Sequence, residues 1–290
     1  MTTVPSILVT GATGNVGAPL ISQLRALGRR VVAATPSPLA DSDDTGSGRA
    51  QTRRLDLEDR STFAGALEGI GRVFLMRPPQ ISDTKRYLRP FVAAMAAAGV
   101  EHVVFLSLMG VNRAMPHWQV EQDLRASAVP WTFLRPSFFA QNLGAAYRVD
   151  IRDHDRIRLA SGRGRASFID TRDIAAVAAK VLADPTGHQG QAYTLTGPEA
   201  LDYYRVASML SATLGRRIDY EPIGLLRYRQ ELRAQNLPGA FVNVQLLINA
   251  VARLGLAARV NDTVSRLIQR PPTTLQTYLT DHRDLWQLEP

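Results

Sequence analysis

The chain has 290 residues, 45% of them apolar and 21% charged, with a formal charge of +8 and no cysteine. That length fits one large domain with a smaller appended lobe, and the apolar share fits an ordinary soluble core. Without cysteine, disulfides and thiolate metal sites are excluded. No stretch approaches the roughly 18–20 uninterrupted apolar residues of a membrane span. The first ten residues lack the basic region and apolar run of a secretory signal, so a cytoplasmic protein is expected. Lys85 and Lys180 are the only lysines, and arginines are scattered along the chain, a pattern that suggests GC-rich coding. No basic run with interleaved aromatics occurs, so the charge predicts no nucleic-acid partner.

In chain order, "SILVT" (6–10) reads as a buried strand and 18–28 as a helix with Pro19 in its first turn. Strands are predicted at 30–35 and 52–57, a helix at 60–69 and a strand at 72–76. A helix follows at 87–100, kinked or started at Pro90, then strands at 102–108 and 131–136. Continuous apolar strands alternating with helices indicate a parallel sheet covered on both faces. Residues 36–50 read as a loop. Further on, 167–184 is an extended stretch leading into a helix, 191–198 is a strand, and 203–215, 241–255 and 272–286 are helices. The expected fold is α/β, a doubly wound parallel sheet with a smaller α-rich C-terminal lobe. The main domain is placed at 1–150 with returns at about 167–197, and the lobe mainly at 151–290.

"VTGATGNVG" (9–17) places Gly11, Gly14 and Gly17 in a G-x-x-G-x-x-G turn between a strand and a helix, the context of a dinucleotide-binding Rossmann fold. Gly11 permits the tight turn, Gly14 a close approach to a pyrophosphate, and Gly17 close helix–strand packing. Thr13 and Asn15 can donate hydrogen bonds, and the helix N-terminus supplies amides.

"HWQVEQDL" (117–124) follows Pro116 and reads as a helix. At about 100° per residue, His117, Val120, Glu121, Leu124 and Ala128 share one face, and Asp123 points to solvent. Three readings compete for that face. A metal site lacks converging ligands, since the other histidines (His102, His154, His188, His282) are scattered. A structural reading bonds Glu121 to an arginine such as Arg135. A functional reading makes His117, which ordinarily titrates near neutrality, a proton donor or relay oriented by Glu121.

With "GATGNVG" on the first strand, the chain resembles the NmrA-like branch of the short-chain dehydrogenase/reductase superfamily. The similarity spans nearly the whole chain, through "RRLDLEDRSTFAGALEGI", "FLSLMGV", "HWQVEQDLRASAVPWTFLRPSFFAQNL", "FIDTRDIAAVAAKVL", "YTLTGPEAL" and "PTTLQTYLTDH". It implies that Gly11, Thr13, Gly14, Asn15, Val16 and Gly17 hold a pyrophosphate and that Asp56 and Leu57 flank adenine. Met76, Arg77, Pro78 and Pro79 would line ribose and nicotinamide, with Ser107 and Pro136 nearby. After the second strand, NADP-using relatives commonly carry arginine and NAD enzymes an acid. Here Thr35-Pro36-Ser37-Pro38 offers neither, and Asp41, Asp43 and Asp44 follow. Arg53 or Arg54 could substitute, although strand arginines are more often surface cover. NADP(H) is slightly favoured over NAD(H), on the resemblance alone.

Typical short-chain dehydrogenases carry Tyr-x-x-x-Lys where His117 and Glu121 stand, so ordinary ketone reduction is not expected; quinone-reductase relatives carry a similar His-x-x-x-Glu. The resemblance implies an NAD(P)H-dependent reductase of quinone-like or polycyclic aromatic substrates, with His117 and Glu121 as catalytic candidates. Met109, His117, Phe138, Phe139 and Asn142 are the candidate substrate contacts, Phe138 and Phe139 offering flat apolar surface. Two alternatives stay open: a non-catalytic NAD(P)-sensing regulator, and a tailoring enzyme that couples or rearranges aromatic polyketides. The partners expected are a small aromatic molecule and, at most, a second copy of the chain. No metal and no membrane partner is expected.

Overall fold

The computed structural model describes residues 5–37, 51–237 and 239–287. The chain begins with strand β1 (Ser6–Val9), helix α1 (Gly17–Ala26) and strands β2 (Val31–Thr35) and β3 (Gln51–Arg54). Helix α2 (Phe63–Leu67), β4 (Ile70–Met76), α3 (Thr84–Ala97), β5 (His102–Leu106), α4 (Pro116–Ala126) and β6 (Trp131–Pro136) follow. It next forms β7 (Phe138–Phe139), α5 (Arg148–His154), β8 (Arg156–Leu159) and β9 (Arg165–Ile169), then α6 (Thr171–Ala183) and β10 (Gln191–Leu195). The rest is β11 (Ala200–Asp202), α7 (Tyr203–Leu214), β12 (Asp219–Pro222), α8 (Leu225–Ala234), α9 (Gly239–Arg253), α10 (Thr263–Ile268) and α11 (Leu275–Asp281).

These elements divide into two units. The first runs to Pro136 and takes back Thr171–Leu195; the second holds Ser137–Asp170 and the chain from Thr196. The division thus comes at Pro136, where the sequence reading set it at about 150. In the first unit seven parallel strands lie in the order β10-β6-β5-β4-β1-β2-β3. The order reverses direction beside β1, so the sheet is doubly wound. Every residue of β2 and β5 is buried, as continuous apolar strands between two helix layers require. Helix α1 packs with α6, and α3 packs with α2 and α4. One core joins Leu8, Val73 and Phe105 of the sheet to Phe91, Val120 and Leu124 of the helices.

In the second unit, β11, β9 and β7 form a small sheet, and β12 pairs with β8. Its core is aromatic: Phe168 and Tyr203 meet edge to face at 5.6 Å, as do Tyr278 and Trp286 at 6.2 Å. Several of its elements escape the sequence reading because they are short: β7, α5, β8, β12 and α10 have two to seven residues. The C-terminal helix expected at 272–286 is two pieces, α11 and a 3₁₀ turn at Arg283–Trp286.

Helix α3 sets aside one of the two alternatives expected at Pro90, a helix start. It starts at Thr84, capped by Asp83, whose Oδ1 accepts from Arg86 N at 3.1 Å, so Pro90 lies inside it. Proline has no N–H for the carbonyl of Arg86, four residues earlier. Arg60 Nη2 donates to that carbonyl at 3.4 Å instead. Replacing Pro90 by Ala restores the helical bond, and urea denaturation is expected to show a gain of about 1 kcal/mol or more, despite the looser unfolded chain.

Candidate functional site

The glycine turn lies at the carboxyl end of β1. Gly11 adopts φ +62°, and a Cβ there would run into the Met76 side chain. A Cβ at Gly17 would overlap the carbonyl oxygen of Gly11. Gly14 is less confined: its N–H donates to Gly11 O at 2.9 Å, and a Cβ would sit 3.2 Å from the same oxygen. Helix α1 starts at Gly17 with no side-chain cap; Ala18 N donates to Gly14 O at 3.1 Å and Pro19 has no N–H, so the turn itself, not the helix's first residues, carries the open amides. Thr13 and Asn15 are exposed, whereas the Val16 side chain is buried and leaves only its backbone to a ligand. Thr10, which the sequence reading passed over, clamps the ends of β1 and β4. Its Oγ1 donates to Phe74 O at 3.1 Å and accepts from Met76 N at 2.8 Å.

The adenine-side candidates are ordered by local bonds. Asp56 Oδ1 accepts from Glu58 N at 2.9 Å, and Leu57 is buried in the core. Thr35 is buried at the end of β2, and its Oγ1 donates to Ser37 O at 2.7 Å. Asp41, Asp43 and Asp44, with most of the 36–50 loop, lie outside the described residues. Arg53 is not surface cover: its Nη1 donates to Gly65 O, Ala66 O and Glu68 O at 3.4, 3.3 and 2.5 Å, closing the end of α2. Arg54 stands opposite Thr35 in the β2–β3 ladder, half its side chain exposed, and pairs with Asp59 at 3.2 Å.

After β4, Arg77 organises the loop that follows. Its Nη1 donates to Pro78 O, Pro79 O and Ile81 O at 3.0, 3.2 and 2.6 Å, and its Nε to His117 Nε2 at 3.4 Å. With Nε2 accepting, the His117 proton sits on Nδ1. Burial and the Arg77 charge push the His117 pKa down to about 3. The ring is therefore neutral at pH 7, which overturns the expectation that it titrates near neutrality.

Glu121 is almost wholly buried and fully partnered. Ser107 Oγ donates to its Oε1 at 2.7 Å; Arg135 Nε donates to Oε1 at 2.9 Å and Nη2 to Oε2 at 2.5 Å. Arg125 adds a longer contact at 3.7 Å. The structure realises the Glu121–Arg135 bond of the structural reading and shows no Glu121 bond to His117. Two wheel positions differ from expectation. Asp123 is largely buried, accepting from Arg89 Nε and Gln119 Nε2 at 3.0 Å each, because α3 packs beside α4. Ala128 is exposed, because α4 stops at Ala126.

The remaining candidates divide between the units. In the first, Pro136 accepts from Met109 N at 2.9 Å through its carbonyl, which holds half-buried Met109 beside the ends of β5 and β6. In the second, Phe138 meets Phe168 edge-on at 6.3 Å and is part of the aromatic core, Phe139 is half-buried, and Asn142 O accepts from Tyr147 N at 3.1 Å. Among the described residues no group of three or more histidines and carboxylates comes together.

A family model, the NmrA-like family, matches residues 4–279. The chain belongs to that family. This NmrA-like chain is 33% identical over 282 residues to an NAD(P)H azoreductase of Xenophilus azovorans, covering 95% of this chain and 97% of the relative. It is 34% identical over 292 residues to a (4-alkanoyl-5-oxo-2,5-dihydrofuran-3-yl)methyl phosphate reductase of Streptomyces griseus, covering 98% and 100%. An NADPH-dependent quinone oxidoreductase of Escherichia coli, crystallised with NADPH, superposes with a TM-score of 0.84 at 26% identity, covering 96% and 99%.

Two predictions separate structure from chemistry here. Glu121→Ala leaves Arg135 and Ser107 without their acceptor, so denaturation is expected to show a loss of about 3 kcal/mol, with or without dinucleotide. His117 shifts stability in the same direction as a paired carboxylate, since its folded pKa is also depressed, but the cause is burial of the charged ring rather than an ion pair. Its folded pKa of about 3 lies below the ordinary 6.5, so it adds no penalty above pH 6.5 and a growing one as pH falls towards 3. His117→Asn is therefore expected to make stability less steeply dependent on pH across that window. An unchanged slope would show that the ring titrates normally.

Proposed function

We propose that this chain is an NAD(P)H-dependent reductase whose acceptors are quinone-like or other extended conjugated compounds. The observation that carries the reading is the glycine turn. Gly11 adopts a left-handed backbone, a side chain at Gly17 would overlap the Gly11 carbonyl, and the uncapped start of α1 follows directly. Such a turn fits a pyrophosphate, held by backbone amides from Gly11 to Gly17 with help from Thr13 and Asn15. The azo and quinone reductions carried out by the relatives support the acceptor class.

Bound dinucleotide would supply the hydride. Asp56 and Leu57 would border its adenine, and Met76, Arg77, Pro78, Pro79, Ser107 and Pro136 its ribose and nicotinamide. His117 is neutral and tied to Arg77, and Glu121 is saturated, so neither is poised as a strong acid. A conjugated acceptor suits this chemistry, because its ring spreads the charge that hydride brings and water can complete protonation. The proposed role of His117 is to hold Arg77 and its loop in place. Met109, Phe138, Phe139 and Asn142 are proposed substrate contacts, each within its own unit.

NADPH is the favoured dinucleotide in this reading. Among the described residues no acid stands at the end of β2, and Arg54, opposite Thr35, can exchange Asp59 for a 2′-phosphate. Absorbance assays with both dinucleotides against a quinone panel test the reading, and no turnover with either overturns it. Arg54→Ala is expected to raise the KM for NADPH relative to NADH about tenfold, the value of one charge-assisted contact. An unchanged ratio would remove Arg54 from the site.

A further inference from the structure

The turn between β8 and β9 lies against the C-terminal end of α9, both in the second unit. Together they line an open cleft of about 520 Å³, with Arg163, Arg165 and Arg253 on its walls. Its walls are held in place. Asn249, only 1% exposed, accepts from Ala160 N at 3.0 Å and Ser161 Oγ at 2.8 Å, and donates to Gln245 O at 2.9 Å. Gly162 adopts φ +57°, and a Cβ at Gly164 would overlap the carbonyl of Ala252. Arg253 Nη1 reaches back to Ala160 O at 3.2 Å.

Elsewhere in the chain some arginines are held by acids. Arg158 pairs with Glu221 and Glu231, and Arg135 with Glu121. Among the described residues, no acid pairs with Arg163, Arg165 or Arg253. Arg163 lies over the Tyr204 ring, 5.2 Å from its centroid. Asp202, opposite Arg165 in the ladder, turns its carboxylate to Arg205 N at 2.9 Å. The carbonyls at the end of α9 offset part of the repulsion among the guanidinium groups. Arg163 and Arg165 still present free donors to one space. Beside them Leu254 lines the cleft at 73% exposure.

We propose that this cleft binds a phosphate group, with Arg163 and Arg165 as the recognising side chains. Guanidinium forks match the oxygens and double charge of a phosphate, and exposed Leu254 suits an apolar group attached to it. That chemistry has two sources, a soluble phosphorylated small molecule or the headgroup of an anionic lipid.

The test uses the whole protein and an Arg163→Gln/Arg165→Gln variant; both side chains are exposed and hold no backbone group, and circular dichroism checks the fold. Thermal unfolding is followed as inorganic phosphate is added, against sodium chloride at equal ionic strength. In parallel, co-sedimentation is measured with vesicles of phosphatidylcholine plus phosphatidic acid and of phosphatidylcholine alone. Saturable stabilisation by phosphate that weakens about tenfold or more in the variant supports the site. With no sedimentation it assigns a soluble ligand. Sedimentation that needs phosphatidic acid and is reduced by both the arginine variant and Leu254→Ser assigns a lipid headgroup. Wild type and variant behaving alike in both arms overturns the proposal, since phosphate held at the glycine turn would be unaffected by these substitutions.

Discussion

Glu121 is a carboxylate at 1% exposure, and the carboxyl ends of β5 and β6 depend on it. Ser107 follows β5, Arg135 lies in β6, and Glu121 sits in the second turn of α4. A buried charge of this kind is tolerable only when its lone pairs are taken up, and here hydrogen bonds from two side chains occupy both oxygens. The bond network therefore fixes how α4 lies along the two strands. Since Val120 and Leu124 occupy the core on the same side of the helix, the polar and apolar contacts agree on one orientation. His117, one turn earlier on that face, is carried to Arg77 as a consequence.

The same agreement explains what could be read from the sequence. Strands β1, β2, β4, β5 and β6 are largely buried, so short apolar runs such as Val73–Met76 and Val103–Leu106 dominate them. The glycine spacing was legible because the left-handed backbone at Gly11 and the backbone packed against Gly17 both favour glycine. Glu121 and His117 were legible as polar residues on an apolar stripe, but their partners were not. Ser107 and Arg135 lie 14 residues before and after Glu121, and only the sheet brings them together. Arg77 is 40 residues from His117. The second unit was harder to read, because its strands have two to five residues and its core draws aromatic side chains from distant segments.

The pairing of His117 with Arg77 also limits the chemistry. A histidine used as an acid near neutral pH needs a stabilised imidazolium, supplied by a carboxylate or by solvent. Here burial and a cation both disfavour that form. The nearby carboxylate, Glu121, is held by arginines. The arrangement favours reactions in which the acceptor itself stabilises negative charge, and disfavours those in which the protein must deliver a proton as hydride moves.

Arginine usage follows a physical rule rather than coding bias alone. Arg53 closes the carbonyls at the end of α2, and Arg72 Nη1 donates to Leu182 O and Ala183 O at the end of α6, at 2.6 and 2.9 Å. Arg77 gathers three carbonyls of its own loop. In the second unit, Arg216 Nη2 donates to Ile151 O, Arg152 O and Trp286 O. In each site one guanidinium nitrogen is shared among two or three backbone carbonyls, which fixes the arginine head against the backbone. A positive charge fixed on a backbone carbonyl is not free to meet a phosphate backbone, so a charge of +8 overstates the surface offered to nucleic acid. Arginines that close no such end are correspondingly informative. The cleft at Arg163 and Arg165 stands out because it brings two exposed guanidinium groups, neither paired with an acid among the described residues, onto the walls of one space.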